Sequence, residues 1–335
     1  MSEAASTTGE TRRHAGVSAI FAPGSAFPQC HASTLLPLPD GRMLAAWFGG
    51  TAEKDPDTAI WCAERNGATW SAPRVLAKIS GEAHWNPVLF LAPDQTVQLW
   101  FKTGVDCVGW RTWHAQSRDL GRTWSTPTPF LASDVLARGP ARCPPIITPA
   151  GTWLAGSSEE QQRDPTGREW WPYIERSSDG GRTWSALPIV MSADAPVGKG
   201  GIQPTVWSSS EGVHCLLRTG LGQIYRSDSH DDGRTWSAAY PTGLPNNNSG
   251  IVVAALGDGR LAMLWNPVAG DWAARTPLRL SLSHDNGRTW STVHDLASGP
   301  GEFSYPTLLA TDAARGVAAT WTDCRTTIAF WSGSL

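Results

Sequence analysis

The chain has 335 residues and a net charge of −3, from 27 Lys+Arg against 30 Asp+Glu. It has no basic block to neutralise nucleic-acid phosphates and no run of 18 apolar residues to form a membrane-spanning helix. Hydrophobic content of 41% against 17% charged residues excludes a disordered chain, and 34 Gly, 25 Pro and 19 Trp point to many turns and large aromatic plates.

In chain order, residues 1–16 are small, polar and mixed in charge, with no apolar stretch after a basic start. They read as a disordered tail rather than a secretory leader. The expected location is cytoplasmic, with a mature secreted form left open. The six cysteines are scattered and read as reduced thiols. From residue 17 onward one repeat organises the sequence. The pattern S-x-D-x-G-x-T-W starts at Ser117, Ser177, Ser229 and Ser283, and an eroded copy, AERNGATW, ends at Trp70. The closing tryptophans, Trp70, Trp124, Trp184, Trp236 and Trp290, stand 54, 60, 52 and 54 residues apart. That period suits one four-stranded propeller blade. Asp is expected to accept backbone N–H groups two residues on, Gly to supply a positive φ, and Trp to pack between blades. These aspartates are therefore read as structural.

A second repeat runs out of phase with the first. Short apolar strands begin at His31 (HASTLL), Trp85 (WNPVLF), Arg142 (RCPPII), Ile202 (IQPTVW), Asn248 (NSGIVV) and Ser304 (SYPTLL). Their equivalent second positions read as Ala32, Asn86, Cys143, Gln203, Ser249 and Tyr305. Apolar runs bounded by Gly turns are buried strands with hairpins. The fold class is thus all-β: a six-bladed β-propeller of four-stranded antiparallel blades over residues 17–335. Strand starts that ring one axis would line its ligand site.

The boxes, the six-fold count and the strand starts together resemble the sialidase (neuraminidase) superfamily, in its bacterial group with BNR/Asp-box repeats. The resemblance implies a carboxylate-binding arginine set, a tyrosine nucleophile helped by a glutamate, and an aspartate acid/base. Arg218 in LLRTGLGQIYRS is similar to the second family arginine and Arg275 in ARTPLRLSLS to the third, while Tyr305 in GEFSYPTLL is similar to the nucleophile. The departures are His31 at the first arginine, Gln203 at the glutamate and Asn86 at the aspartate that opens the second inner strand. The acid/base loop is GGTAEKDPDTAIW, so Glu53, Asp55 and Asp57 are candidates. Asp57 reads equally as a structural strand-start residue.

Chemistry weights these positions further. Two guanidinium groups near one axis repel unless an anion bridges them, so Arg218 and Arg275 favour a carboxylate ligand. A phenol is a weak nucleophile unless a base or a nearby cation promotes its ionisation. With Gln203 in the glutamate position, Glu159 and Glu160 are the nearest replacement acids. His31 reads as an acid/base, as a donor to a carboxylate or as a packed strand residue. Asn248 reads as a sugar ligand or as turn material, and Trp85, Trp110, Trp170 and Trp171 as stacking walls or blade packing. No HExxH and no His/Cys cluster suggests a metal, and no cofactor is expected. The leading expectation is an exo-acting glycoside hydrolase for a carboxylated sugar (sialic, ulosonic or uronic acid), whose partner is an acidic oligosaccharide or glycoconjugate. A uronate lyase and a non-catalytic glycan-binding propeller are the alternatives.

Overall fold

The computed structural model describes residues 10–131, 137–164, 167–196, 198–311 and 316–335. Among these there is no helix. Six sheets, each paired antiparallel from an inner to an outer strand, form a six-bladed β-propeller. The inner strands are Gln29–Pro37, His84–Leu91, Ile146–Ile147, Gly201–Ser209, Val252–Ala255 and Phe303–Ala310. Apolar residues of neighbouring blades interdigitate to make the core. Leu36, Leu44 and Phe48 of blade 1, for example, share a cluster with Trp85, Leu89 and Phe101 of blade 2.

The chain's early segment closes the ring. Ser18–Ala19 forms the outermost strand of blade 6, against Phe330 and Ala329, while Arg12–Arg13 extends blade 5 along Ser298 and Ala297. The tail boundary drawn at residue 16 therefore moves: residues 10–16 belong to the propeller, and residues 1–9 lie outside the described ones. Arg13 adds a 2.7 Å ion pair to the buried Asp323.

Near the start of each inner strand, within it or four residues ahead of it, stands a residue in the left-handed region: Ala32, Asn86, Arg142, Gln203, Asn248 and Tyr305, with φ between 39° and 103°. In four of the six, the ladder to the second strand skips at this point, between His31 and Thr34, Trp85 and Val88, Ile202 and Thr205, and Ser304 and Thr307. Proline follows the left-handed residue at positions 87, 204 and 306, where an N–H would have lost its ladder partner and proline has none to lose. The two equivalences drawn at Cys143 and Ser249 are thereby corrected by one residue, to Arg142 and Asn248. Hydroxyls of the preceding blade satisfy other freed donors: Gln203 N–H donates to Ser158 Oγ and Val253 N–H to Thr205 Oγ1. Gly156 is needed for the close approach of blades 3 and 4, since a Cβ there would stand 1.8 Å from the Pro204 carbonyl oxygen.

The octets staple the opposite face. In the last one, Asp285 Oδ1 accepts from Ser283 Oγ (2.8 Å), from Arg288 N (3.1 Å) and from Thr289 N (2.8 Å), and Oδ2 accepts from Thr289 Oγ1 (2.6 Å). The bonds reach three and four residues on, not two as expected. Each box tryptophan donates Nε1 to its own box glycine carbonyl, as Trp290 does to Gly287 at 3.1 Å. Trp70 of the eroded copy has no such partner. Arginines of the preceding blade then pin a box through its main chain, as Arg176 does to Asp232 (3.1 Å) and Arg226 to Asn286 (2.7 Å). One such clamp has the spacing of a hydrolytic triad, with Ser209 Oγ 2.9 Å from His214 Nε2 and His214 Nδ1 2.6 Å from Asp228. Glu211 N–H and Asn286 Nδ2 both donate to that same Oγ, so its lone pairs are occupied and the array is structural.

Candidate active site on the propeller axis

Inner-strand starts make the floor of a cavity of about 550 Å³, and the connections between second and third strands make its wall. The floor brings His31, Trp85, Asn86, Gln203 and Tyr305 together. The wall receives Glu53 from blade 1, Cys107 and Trp110 from blade 2, Glu160, Arg168 and Trp170 from blade 3, and Arg218, Arg275 and Arg325 from blades 4, 5 and 6. Residues more than 250 positions apart in sequence thus share one chamber.

Arg218 is 3% exposed and central. Its Nη1 donates to Tyr305 Oη (3.1 Å) and to Gln203 Oε1 (3.0 Å), and its Nε donates to Asn248 Oδ1 (2.9 Å). No carboxylate pairs with it among the described residues. Asn248 does not line the cavity; it is a buried brace, fixed on its other side by donating to Asp271 Oδ1 at 2.6 Å. Arg275 lies 5.7 Å from the Tyr305 ring centre, on a par with Arg218 at 5.6 Å. Unlike Arg218, it is neutralised, by Glu302 at 2.8 Å. Glu302 also holds Arg325 at 2.9 Å, and Arg325 reaches Glu53 with its other nitrogen. Burial alone would raise the Glu302 carboxyl, but Arg325 and Arg275 outweigh it and keep the group ionised below its ordinary range.

Tyr305 stacks obliquely on His31 with ring centres 4.2 Å apart. Burial, reinforced by Arg325, Arg275 and Arg218, drives the His31 imidazole well below its ordinary pKa. It is neutral at physiological pH, so it can accept but not deliver a proton there, which removes half of the expected acid/base role. Its Nδ1 and the Asn86 amide nitrogen have no hydrogen-bond partner. Burial, then Glu160, push the Cys107 thiol up, so the wall holds a neutral SH rather than a thiolate.

Several expected site residues fall elsewhere. Of the acid/base loop, Glu53 alone lines the cavity. Asp57 is a turn staple that accepts from Thr51 N–H and Thr51 Oγ1 (2.6 Å), and Asp55 gives its carbonyl to Thr58. In blade 3, Glu159 opposes Trp171 and Glu160 opposes Trp170 across the hairpin. The pleat sends the second pair to the cavity, where Trp170 Nε1 donates to Glu160 at 3.0 Å. Glu159 and Trp171, the latter 53% exposed, face an outer apolar groove instead. Arg325 was missed altogether. It sits in the tight turn TDCRTT of blade 6, and the signal for it was positional: that turn is the sixth copy of the connection that carries Arg218 and Arg275.

The family described as BNR repeat-like domain matches residues 41–316, and the chain belongs to that family. No curated protein matches it in sequence. Among solved structures, a protein of unknown function from Dyadobacter fermentans superposes with a TM-score of 0.76 at 17% identity, covering 96% of this chain and 98% of that one. The Hadza microbial sialidase Hz136 gives 0.77 at 16% identity, covering 95% and 68%. The NanB sialidase of Streptococcus pneumoniae gives 0.72 at 11%, covering 96% and 71%. At these identities the likeness is one of fold, that of a sialidase-like propeller.

Proposed function

We propose that the protein cleaves the terminal glycosidic bond of a sugar bearing a carboxylate, a sialic, ulosonic or uronic acid, as an exo-acting glycoside hydrolase. The observation that carries this reading is the buried, unneutralised guanidinium of Arg218 beside the Tyr305 hydroxyl. A buried cation without a counter-ion is costly, and an anionic ligand removes the cost. Arg218 and Arg275 flank the Tyr305 ring and would grip the carboxylate. Tyr305 would attack or stabilise the anomeric centre, since a neutral phenol meets an anionic sugar without the repulsion a carboxylate would suffer. Glu53, which lines the cavity beside Arg325, would take up a proton and deliver it to the leaving oxygen. A panel of fluorogenic aryl glycosides of acidic sugars tests the reading. Release of fluorophore from an acidic glycoside but not from its neutral counterpart supports it, and release from neutral glycosides alone sinks it.

One observation favours a second reading. The Tyr305 hydroxyl has a guanidinium and no carboxylate at hydrogen-bond distance, and the neighbouring imidazole is neutral. That is the equipment of a base abstracting the proton beside a neutralised carboxylate, hence of β-elimination on a uronate. An ultraviolet-absorbing unsaturated product would distinguish elimination from hydrolysis.

A further inference from the structure

A second buried guanidinium lies off the cavity. Arg142 stands four residues ahead of the third inner strand at φ 103°, a conformation that a long side chain adopts only under constraint. It is 3% exposed. Its Nη1 donates to the Pro306 carbonyl at 2.8 Å, its Nη2 contacts Cys143 Sγ at 3.0 Å, and its Nε is buried with no partner. No carboxylate pairs with it among the described residues. Gly250 of blade 5 packs on the guanidinium, leaving 3.3 Å for any added Cβ. A packed apolar side chain would serve stability at least as well as a buried, unpaired cation. The bond itself explains the residue better. Blades 3 and 6 are opposite each other in a six-membered ring, so the contact crosses the axis, and Pro306 directly follows Tyr305.

We propose that Arg142 is a positioning residue for Tyr305: its bond to the Pro306 carbonyl fixes the left-handed Tyr305 backbone and so the place of the phenol against Arg218. Tyr305 is then gripped twice, at its oxygen from blade 4 and through the next peptide from blade 3. The proposal rests on the reading that Tyr305 takes part in the reaction, but its geometry can be tested without turnover. NMR of ring-labelled tyrosine reports the surroundings of each phenol, and comparison with Tyr305→Phe isolates this tyrosine from the other three.

Arg142→Met is expected to move the Tyr305 ring resonance, as the phenol leaves its place against Arg218 and the His31 ring. On the best acidic aryl glycoside, kcat falls about 10- to 100-fold with KM within about twofold, the pattern of lost positioning. Arg142→Lys, which keeps the charge and one donor, restores most of both. Arg142→Gln is the fallback should the Met variant not fold, with the same direction expected. A folded Met or Gln variant with an unmoved Tyr305 resonance and unchanged kcat overturns the proposal. Failure of all three variants to fold overturns it too, by assigning Arg142 to stability. If the wild-type protein cleaves no acidic glycoside, the hydrolase reading fails, and the ring resonance still decides whether Arg142 places the phenol.

Discussion

The two faces of the propeller use repetition in opposite ways. On the stapled face, Asp119, Asp179, Asp231 and Asp285 make the same bonds to a serine and a threonine at the same spacing. Around the axis, six strands share one left-handed opening, yet the residues there are Ala32, Asn86, Arg142, Gln203, Asn248 and Tyr305. One face repeats its chemistry and the other repeats only its backbone. Identical side chains mark positions that do the same mechanical work in each of those four blades. A shared backbone with different side chains divides the work: Asn86, Gln203 and Tyr305 line the cavity, while Arg142 and Asn248 hold its residues from outside.

If that division is right, substitutions on the two faces should separate activity from stability. The largest effect is expected from Tyr305→Phe, which should reduce turnover by about a thousandfold or more while leaving the melting temperature unchanged. Arg218→Ala follows, with a loss of about 2–4 kcal/mol of transition-state binding in kcat/KM for the acidic glycoside. Within the first loop, Glu53→Gln should lower kcat about 100-fold or more, whereas Asp57→Asn should leave it untouched; the reverse order would break the assignment of roles in that loop. Asp285→Ala should cost about 1–2 kcal/mol in urea unfolding, with kcat retained. Equal losses of activity and stability at a box aspartate would erase the contrast between the faces.

The smallest and broadest effect is that of acid. Burial depresses His84 and His114 to about 4, and box hydrogen bonds hold Asp231 at about 2, with burial opposing them. Between the ordinary histidine value near 6.5 and about 4, the unfolded chain binds protons that the folded one refuses, so stability falls as pH falls. Below the ordinary aspartate value near 3.9 the boxes repeat the effect, and their contribution is lost down to about pH 2. Chemical denaturation across pH should show two successive declines, and His114→Gln should shrink only the first.

The blade count and the stapling role of the boxes were legible because each rests on a local pattern copied along the chain. The centre was legible only in part, since it depends on phase. At R-C-P-P two prolines compete to set the register, so Cys143 was matched where Arg142 belongs, and at N-S-G no proline sets it at all. Glu159 and Glu160 are indistinguishable until the pleat is fixed, because two polar runs face each other across their hairpin. Arg325 hid in a turn that carries no motif, and the use of Asn248 as a brace shows only once Arg218 and Asp271 lie on either side of it.

The closure of the ring by Ser18–Ala19 has a consequence for the chamber. His31 and Glu53 belong to blade 1, Tyr305 and Arg325 to blade 6, and they meet only across the seam that this short strand clasps. The axial chamber therefore exists only once blades 1 and 6 have met. A chain one blade short would keep all four intact boxes and have no chamber, so the staples and the chamber depend on different lengths of the same sequence.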